Sequence, residues 1–151
     1  MIIAIDPGPT ESAMIIWRNN RAETAHILPN EQVLAWLMSP RFSGHLALEM
    51  IACYGMAVGK ETFDTCLWIG RFIQAWGGKD FTLIYRKDVK LHLCQSMRAK
   101  DANVRQALLD KFGGKQKAIG CKAQPGPLYG ISSHLWAALA VLITYQETKA
   151  A

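Results

Sequence analysis

The run Ile2-Ile3-Ala4-Ile5 stops at Asp6, and Pro7-Gly8-Pro9 follows at once. Apolar, β-branched residues favour a pleated and buried strand. Pro and Gly in sequence impose a turn. The chain therefore fixes a carboxylate at the edge of a sheet, with a strand behind it and a tight turn ahead. Asp is common at the start of turns in any case, so a chemical role for Asp6 depends on what the remaining segments bring to that edge.

Four further segments have strand character: Glu11 to Trp17, Ala22 to Ile27, His45 to Glu49 and Phe81 to Tyr85, with Asn19-Asn20 as a hairpin turn between the first two. Helices are predicted between and after them. Asn30 is the expected cap of a helix over Glu31 to Met38, with Leu34, Leu37 and Met38 on one face. A second runs from Glu61 to Trp76, with Phe63, Leu67, Phe72 and Ile73 among its apolar positions, and stops at Gly77-Gly78. Asp88 to Cys94 forms a short helix, and Asp101 caps another that ends near Phe112. Residues 114–130 are rich in Gly, Lys and Pro and read as a long loop. Ser132-Ser133 open the last helix, which reaches about Tyr145 and holds His134 in its first turn. Three hairpin-joined strands followed by alternating strands and helices give an α/β fold, a mixed sheet covered by helices. At 151 residues, with no repeat, one domain over 1–151 is expected.

Half of the residues are hydrophobic, enough for a core and against disorder. No apolar run reaches the ~18 residues of a membrane helix. The first residues lack the basic stretch of a secretory signal. A cytoplasmic protein is the expectation. The four cysteines, at 53, 66, 94 and 121, have no CxxC spacing, which favours free, mostly buried thiols over a zinc site.

Charge is unevenly placed. Arg86 to Lys122 holds ten basic and three acidic residues, a net of +7, while the remainder holds seven basic and nine acidic, a net of −2. A basic sector on a near-neutral chain suits a polyanion such as nucleic acid.

Glu49 ends the apolar run His45-Leu46-Ala47-Leu48, as Asp6 ends the first strand. If the two strands are neighbours, their carboxylates meet. Like charges at that range repel unless a cation lies between them. Oxygen donors of this kind suit Mg²⁺ or Mn²⁺. His134, ahead of the small apolar stretch Ala137-Ala138-Leu139-Ala140-Val141, is a third candidate ligand. The loop after Glu49, residues 50–60, is apolar yet rich in glycine, with Tyr54 and Met56 able to wedge between bases.

Asp6-Pro7-Gly8, then Leu46-Ala47-Leu48-Glu49, then His134 before Ala137-Ala138-Leu139-Ala140-Val141 resembles the RuvC-type Holliday junction resolvases of the ribonuclease H superfamily, and among them the phage and prophage branch. The resemblance covers nearly the whole chain. It implies a five-stranded mixed sheet with helices on both faces, and a homodimer that nicks two strands of a four-way DNA junction with Mg²⁺ or Mn²⁺. Asp6 and Glu49 match the acids of the first and fourth strands. The two acids of the family's last helix are replaced here by His134 and Ala137, so one or two ions per subunit would be held by Asp6, Glu49 and His134. Asp101 could restore an acid or serve only as a helix cap. Lys90, or Lys100, matches a lysine near the scissile phosphate. Lys60, Lys87, Lys100, Arg105, Lys115, Lys117 and Lys122 join Tyr54 and Met56 as DNA contacts. The helix after the fourth strand pairs subunits in the family, and offers Phe63, Trp68 and Phe72.

The implied reaction is hydrolysis of a phosphodiester by a water activated at the cation, with Lys90 offsetting charge on the phosphate. Flaps, other branched DNA and RNA–DNA hybrids are alternative substrates. The missing acid at 137 allows a second reading, a catalytically impaired module that binds branched DNA. The Asp-x-Gly-x-Thr turn also fits sugar kinases and actin-like ATPases, whose fold needs two lobes and a longer chain.

Overall fold

The computed structural model of the chain describes residues 1–150. Its strands are β1 (Ile2–Asp6), β2 (Glu11–Arg18), β3 (Arg21–Pro29), β4 (His45–Met50) and β5 (Phe81–Tyr85). The helices are α1 (Asn30–Met38), α2 (Lys60–Ala75), α3 (Arg86–Cys94), α4 (Asp101–Lys111), α5 (Lys115–Ile119) and α6 (Leu135–Ala150). The five strands form one mixed sheet in the order β3-β2-β1-β4-β5. β1, β2 and β3 are antiparallel neighbours. β4 lies parallel to β1, and β5 parallel to β4. At the β2–β3 hairpin, Asn19 and Asn20 both take positive φ, 52° and 56°, which suits the right-handed twist of the strands.

Strand alternation divides the core in two. Ile3, Ile5, Met14, Ile16, Leu46 and Leu48 face Val33 and Leu37 of α1 and Phe72 and Trp76 at the end of α2. Ala4, Ala13, Ile15, Ala47 and Ile84 face α3, α4 and α6. The small residues Ala4, Ala13 and Ala47 on this second face meet Ala138 and Ala140 of α6, so the helix can lie close against the central strands. Helices therefore cover both faces. Among the described residues, no helix is long and apolar enough to cross a membrane.

Several expectations are corrected. Asn30 does not cap α1: Pro29 occupies the cap position, and the Asn30 side chain is buried in contacts elsewhere. Leu37 is buried as expected, but Met38 is exposed and Val33 is buried in its place. Asp101 is the first residue of α4 rather than its cap. Lys100 holds that position, and its N–H donates to Asn103 Oδ1 at 2.9 Å. Residues 114–130 are not all loop, since α5 and a Gly120–Pro125 bridge lie within them. His134 precedes α6 rather than lying in its first turn. All four cysteines are free, but none is fully buried.

Candidate active site

Asp6 and Glu49 reach the same edge for a reason of register. β1 and β4 are parallel, with Ile5 beside Leu48, so the next residues along are Asp6 and Glu49. Alternation places both on the face that carries Ala4, Ala47 and α6. Both side chains are largely buried, 16% and 11% exposed. They are close enough for a hydrogen bond between the carboxyls.

The turn after Asp6 is held by an interlocked set of bonds. Ser12 Oγ donates to Asn30 Oδ1 at 2.6 Å, Asn30 Nδ2 donates to the Gly8 carbonyl at 2.9 Å, and the Gly8 N–H donates to Ser12 Oγ at 3.2 Å. Gly8 is required here, since a Cβ would stand 2.4 Å from the Glu11 carbonyl oxygen.

β5 is parallel to β4, and the residue that follows it is Arg86. Its Nη1 donates to Glu49 Oε1 at 3.1 Å, and its Nη2 donates to Asp101 Oδ1 at 2.6 Å. The guanidinium thus lies between two carboxylates contributed by β4 and α4. Burial works to lower its pKa, but Glu49 and Asp101 outweigh that and hold it above the ordinary value. His134 Nδ1 stands 3.4 Å from Asp6 Oδ2.

Burial, then repulsion from Glu49 and a hydrogen bond to it, push Asp6 up to about 7, against a partial lowering by Arg86. A carboxyl raised by burial and by a second carboxylate beside it is a place suited to a positive charge. The site opens into a cavity of about 630 Å³ lined by Asp6, Glu49, Arg86, Lys90, Asp101, Arg105, His134 and Ala137, among others. The chemistry of the donors fits a hard divalent cation, because Asp6 and Glu49 present carboxylate oxygens to one space. The fit is limited to that pair with His134 beside it. Among the described residues, no group of three or more His, Cys, Asp or Glu side chains closes tightly enough to hold a metal ion. Ala137 lines the cavity without a donor atom.

The remaining candidates divide by position. Lys90 and Arg105 line the cavity, and Arg105 lies over the Trp136 ring, 4.9 Å from its centroid. Lys100 is beside Asp101 at the start of α4. Tyr54 and Met56 are exposed in the loop after β4, where Tyr54 and Gly55 both take positive φ. Lys87 Nζ stands 5.8 Å from the Tyr54 ring, and Lys60 pairs with Asp64 one turn along α2. Lys115, Lys117 and Lys122 are not brought to this edge. α4 is eleven residues long from Asp101, about 16 Å at 1.5 Å per residue, before α5 begins. The segment after α5 meets the far end of the sheet, where the Ala22 N–H donates to the Pro127 carbonyl.

Arg86 is the functional candidate that sequence reasoning missed. It was one of ten basic residues in a basic sector. The available signal was its position directly after a strand, like that of the acids.

No family model matches this chain, and no curated protein matches it in sequence. Solved structures do match its fold, among them two of RuvC. One is Thermus thermophilus RuvC, at 17% identity and a TM-score of 0.70, covering 98% of this chain and 96% of that one. The other is T. thermophilus RuvC in complex with Holliday junction substrate, at 17% identity and a TM-score of 0.72, covering 98% and 93%. At this identity the likeness establishes the fold, a five-stranded mixed sheet with helices arranged as in RuvC.

Proposed function

We propose that this protein is a divalent-metal-dependent endonuclease that resolves four-way or otherwise branched DNA. The observation that carries this reading is the Asp6–Glu49 carboxyl pair, side by side at the ends of parallel strands and close enough for a hydrogen bond between them. The full-length likeness to a RuvC bound to Holliday junction substrate supports the choice of branched DNA.

A divalent ion held by Asp6 and Glu49 would make a water a stronger nucleophile and stabilise charge on the phosphate. The chain's own residues do the rest. Asp6 and Glu49 supply the negative charge that holds the cation, and the turn bonded through Asn30 and Ser12 keeps Asp6 in place. His134 orients the Asp6 carboxylate from its open side. Lys90, Arg105 and Arg86 place positive charge around the cavity, where a phosphate needs it. Lys60, Lys87 and Lys100, near the same edge, bind the flanking backbone without reading sequence. Tyr54 and Met56 are exposed in the loop that follows β4 and are suited to stacking on unpaired bases at a crossover. Lys115, Lys117 and Lys122 could contact only a distant arm of the DNA. Two subunits, paired through α2, would place two sites on the two opposed strands of a junction.

The test is cleavage of a synthetic four-way junction with Mg²⁺ or Mn²⁺. Paired nicks are expected, with cutting lowered at least ~100-fold in both Asp6→Asn and Glu49→Gln. Junction binding that survives with no cutting under any divalent ion would instead favour a binding module, a reading that the missing donor at Ala137 supports.

A further inference from the structure

Three carboxylates, Asp6, Glu49 and Asp101, line one cavity, but they are not equivalent. Asp101 and Glu49 are bonded through separate nitrogens of one guanidinium, at 2.6 and 3.1 Å. Asp6 has no such partner. Its near neighbours are Glu49 and the exposed imidazole of His134. The site therefore has two poles. The Asp6–Glu49 pole lacks positive charge, while the Glu49–Asp101 pole already holds it.

A guanidinium stays protonated at any working pH, and its planar fork spans two oxygen acceptors at fixed spacing. The Arg86 side chain is also 45% exposed, so one side remains open to the cavity. We infer that Arg86 stands in for a second divalent ion: it occupies the carboxylates that such an ion would need and presents a permanent positive charge to the phosphate, so that each chain holds a single divalent ion, at Asp6 and Glu49. The inference rests on the metal-dependent reading above and deepens it.

Mn²⁺ bound per chain, counted from the EPR signal of free Mn²⁺ during titration of the full chain, tests it without reference to activity. The wild-type chain is expected to take up one ion and Arg86→Lys one. Arg86→Gln is expected to take up two, because Glu49 and Asp101 are released. Adding Asp101→Asn to Arg86→Gln should return the count to one. Thermal melts of each variant check that the fold is retained, and the Lys and Gln variants change no buried apolar contact. Two ions on the wild-type chain, or one on a folded Arg86→Gln, would overturn the role of Arg86 and leave the metal-dependent reading standing. No ion on any of these chains would overturn both.

Discussion

Asp6 carries a penalty that depends on pH. Its carboxyl titrates near 7 in the folded chain, against 3.8 for an ordinary aspartate. The folded state therefore binds this proton more tightly than the unfolded state. Stability is greatest below about pH 4 as far as this group is concerned, falls as pH rises towards 7, and levels off above that. Burial is the largest cause, Glu49 and Asp101 add to it by opposing ionisation, and Arg86 favours ionisation. Asp6→Asn, whose amide cannot ionise, should be more stable than wild type at pH 8, by on the order of 3 kcal/mol. The gap should narrow as pH is lowered to 5. Thermal melts at the two pH values without divalent ions measure this, and equal differences at both would contradict it. Mn²⁺ should raise the melting temperature of the wild-type chain at pH 8 and leave Asp6→Asn unchanged. Metal affinity should likewise rise with pH through 7, because a ligand must lose its proton to bind.

The local ties between elements decide how steady that acid is. Asn30 begins α1, on the face of the sheet opposite α6, yet its amide bonds the turn that follows Asp6. Asn30→Ala would leave the Ser12 hydroxyl without its buried acceptor, at a cost of about 1–3 kcal/mol. Urea unfolding should report that loss, and junction cutting should fall at least ~10-fold as Asp6 loses its support. Sequence reasoning took Asn30 for a helix cap because the residue type and its place before an apolar helix fit that role. Nothing local reveals that its partners lie eighteen and twenty-two residues earlier, at Ser12 and Gly8. Asp101 shows the same limit. Its place at a helix start was legible, but its partner Arg86 is fifteen residues away, and only packing of α3 against α4 joins them. By contrast, Asp6 and Glu49 could be paired from sequence, since each ends an apolar strand and carries its role in its own local pattern.

At the scale of the molecule, α2 presents an apolar stripe to solvent. Phe63 and Leu67, one turn apart, are 62% and 68% exposed. Phe72, expected at the same surface, is instead fully buried against the sheet and belongs to the core. A second copy of this chain is the occupant that the proposed function requires. Phe63→Glu with Leu67→Glu should convert a dimer to a monomer in light scattering after gel filtration, with little change in the melting temperature of the subunit. A dimer that survives both charges would place the contact elsewhere. That the sheet is mixed and covered by helices was legible from the order of segments, because strand and helix periodicities are local. The order of strands within the sheet was not, because it depends on which strands pair. The far placement of the lysines after α4 was not, because the length and direction of α4 carry them away from the acids.

Asp6, Glu49 and Arg86 each stand at or just past the end of one of three adjacent parallel strands. Asp6 and Glu49 are level on neighbouring strands, so their backbones stand one interstrand repeat apart, about 4.8 Å, whatever rotamers they take, while Arg86 lies two residues beyond Ile84, the partner of Glu49. The backbone lattice acts as a ruler: changing a side chain alters how far it extends across a gap, while the width of the gap stays where the hydrogen-bonded ladder puts it.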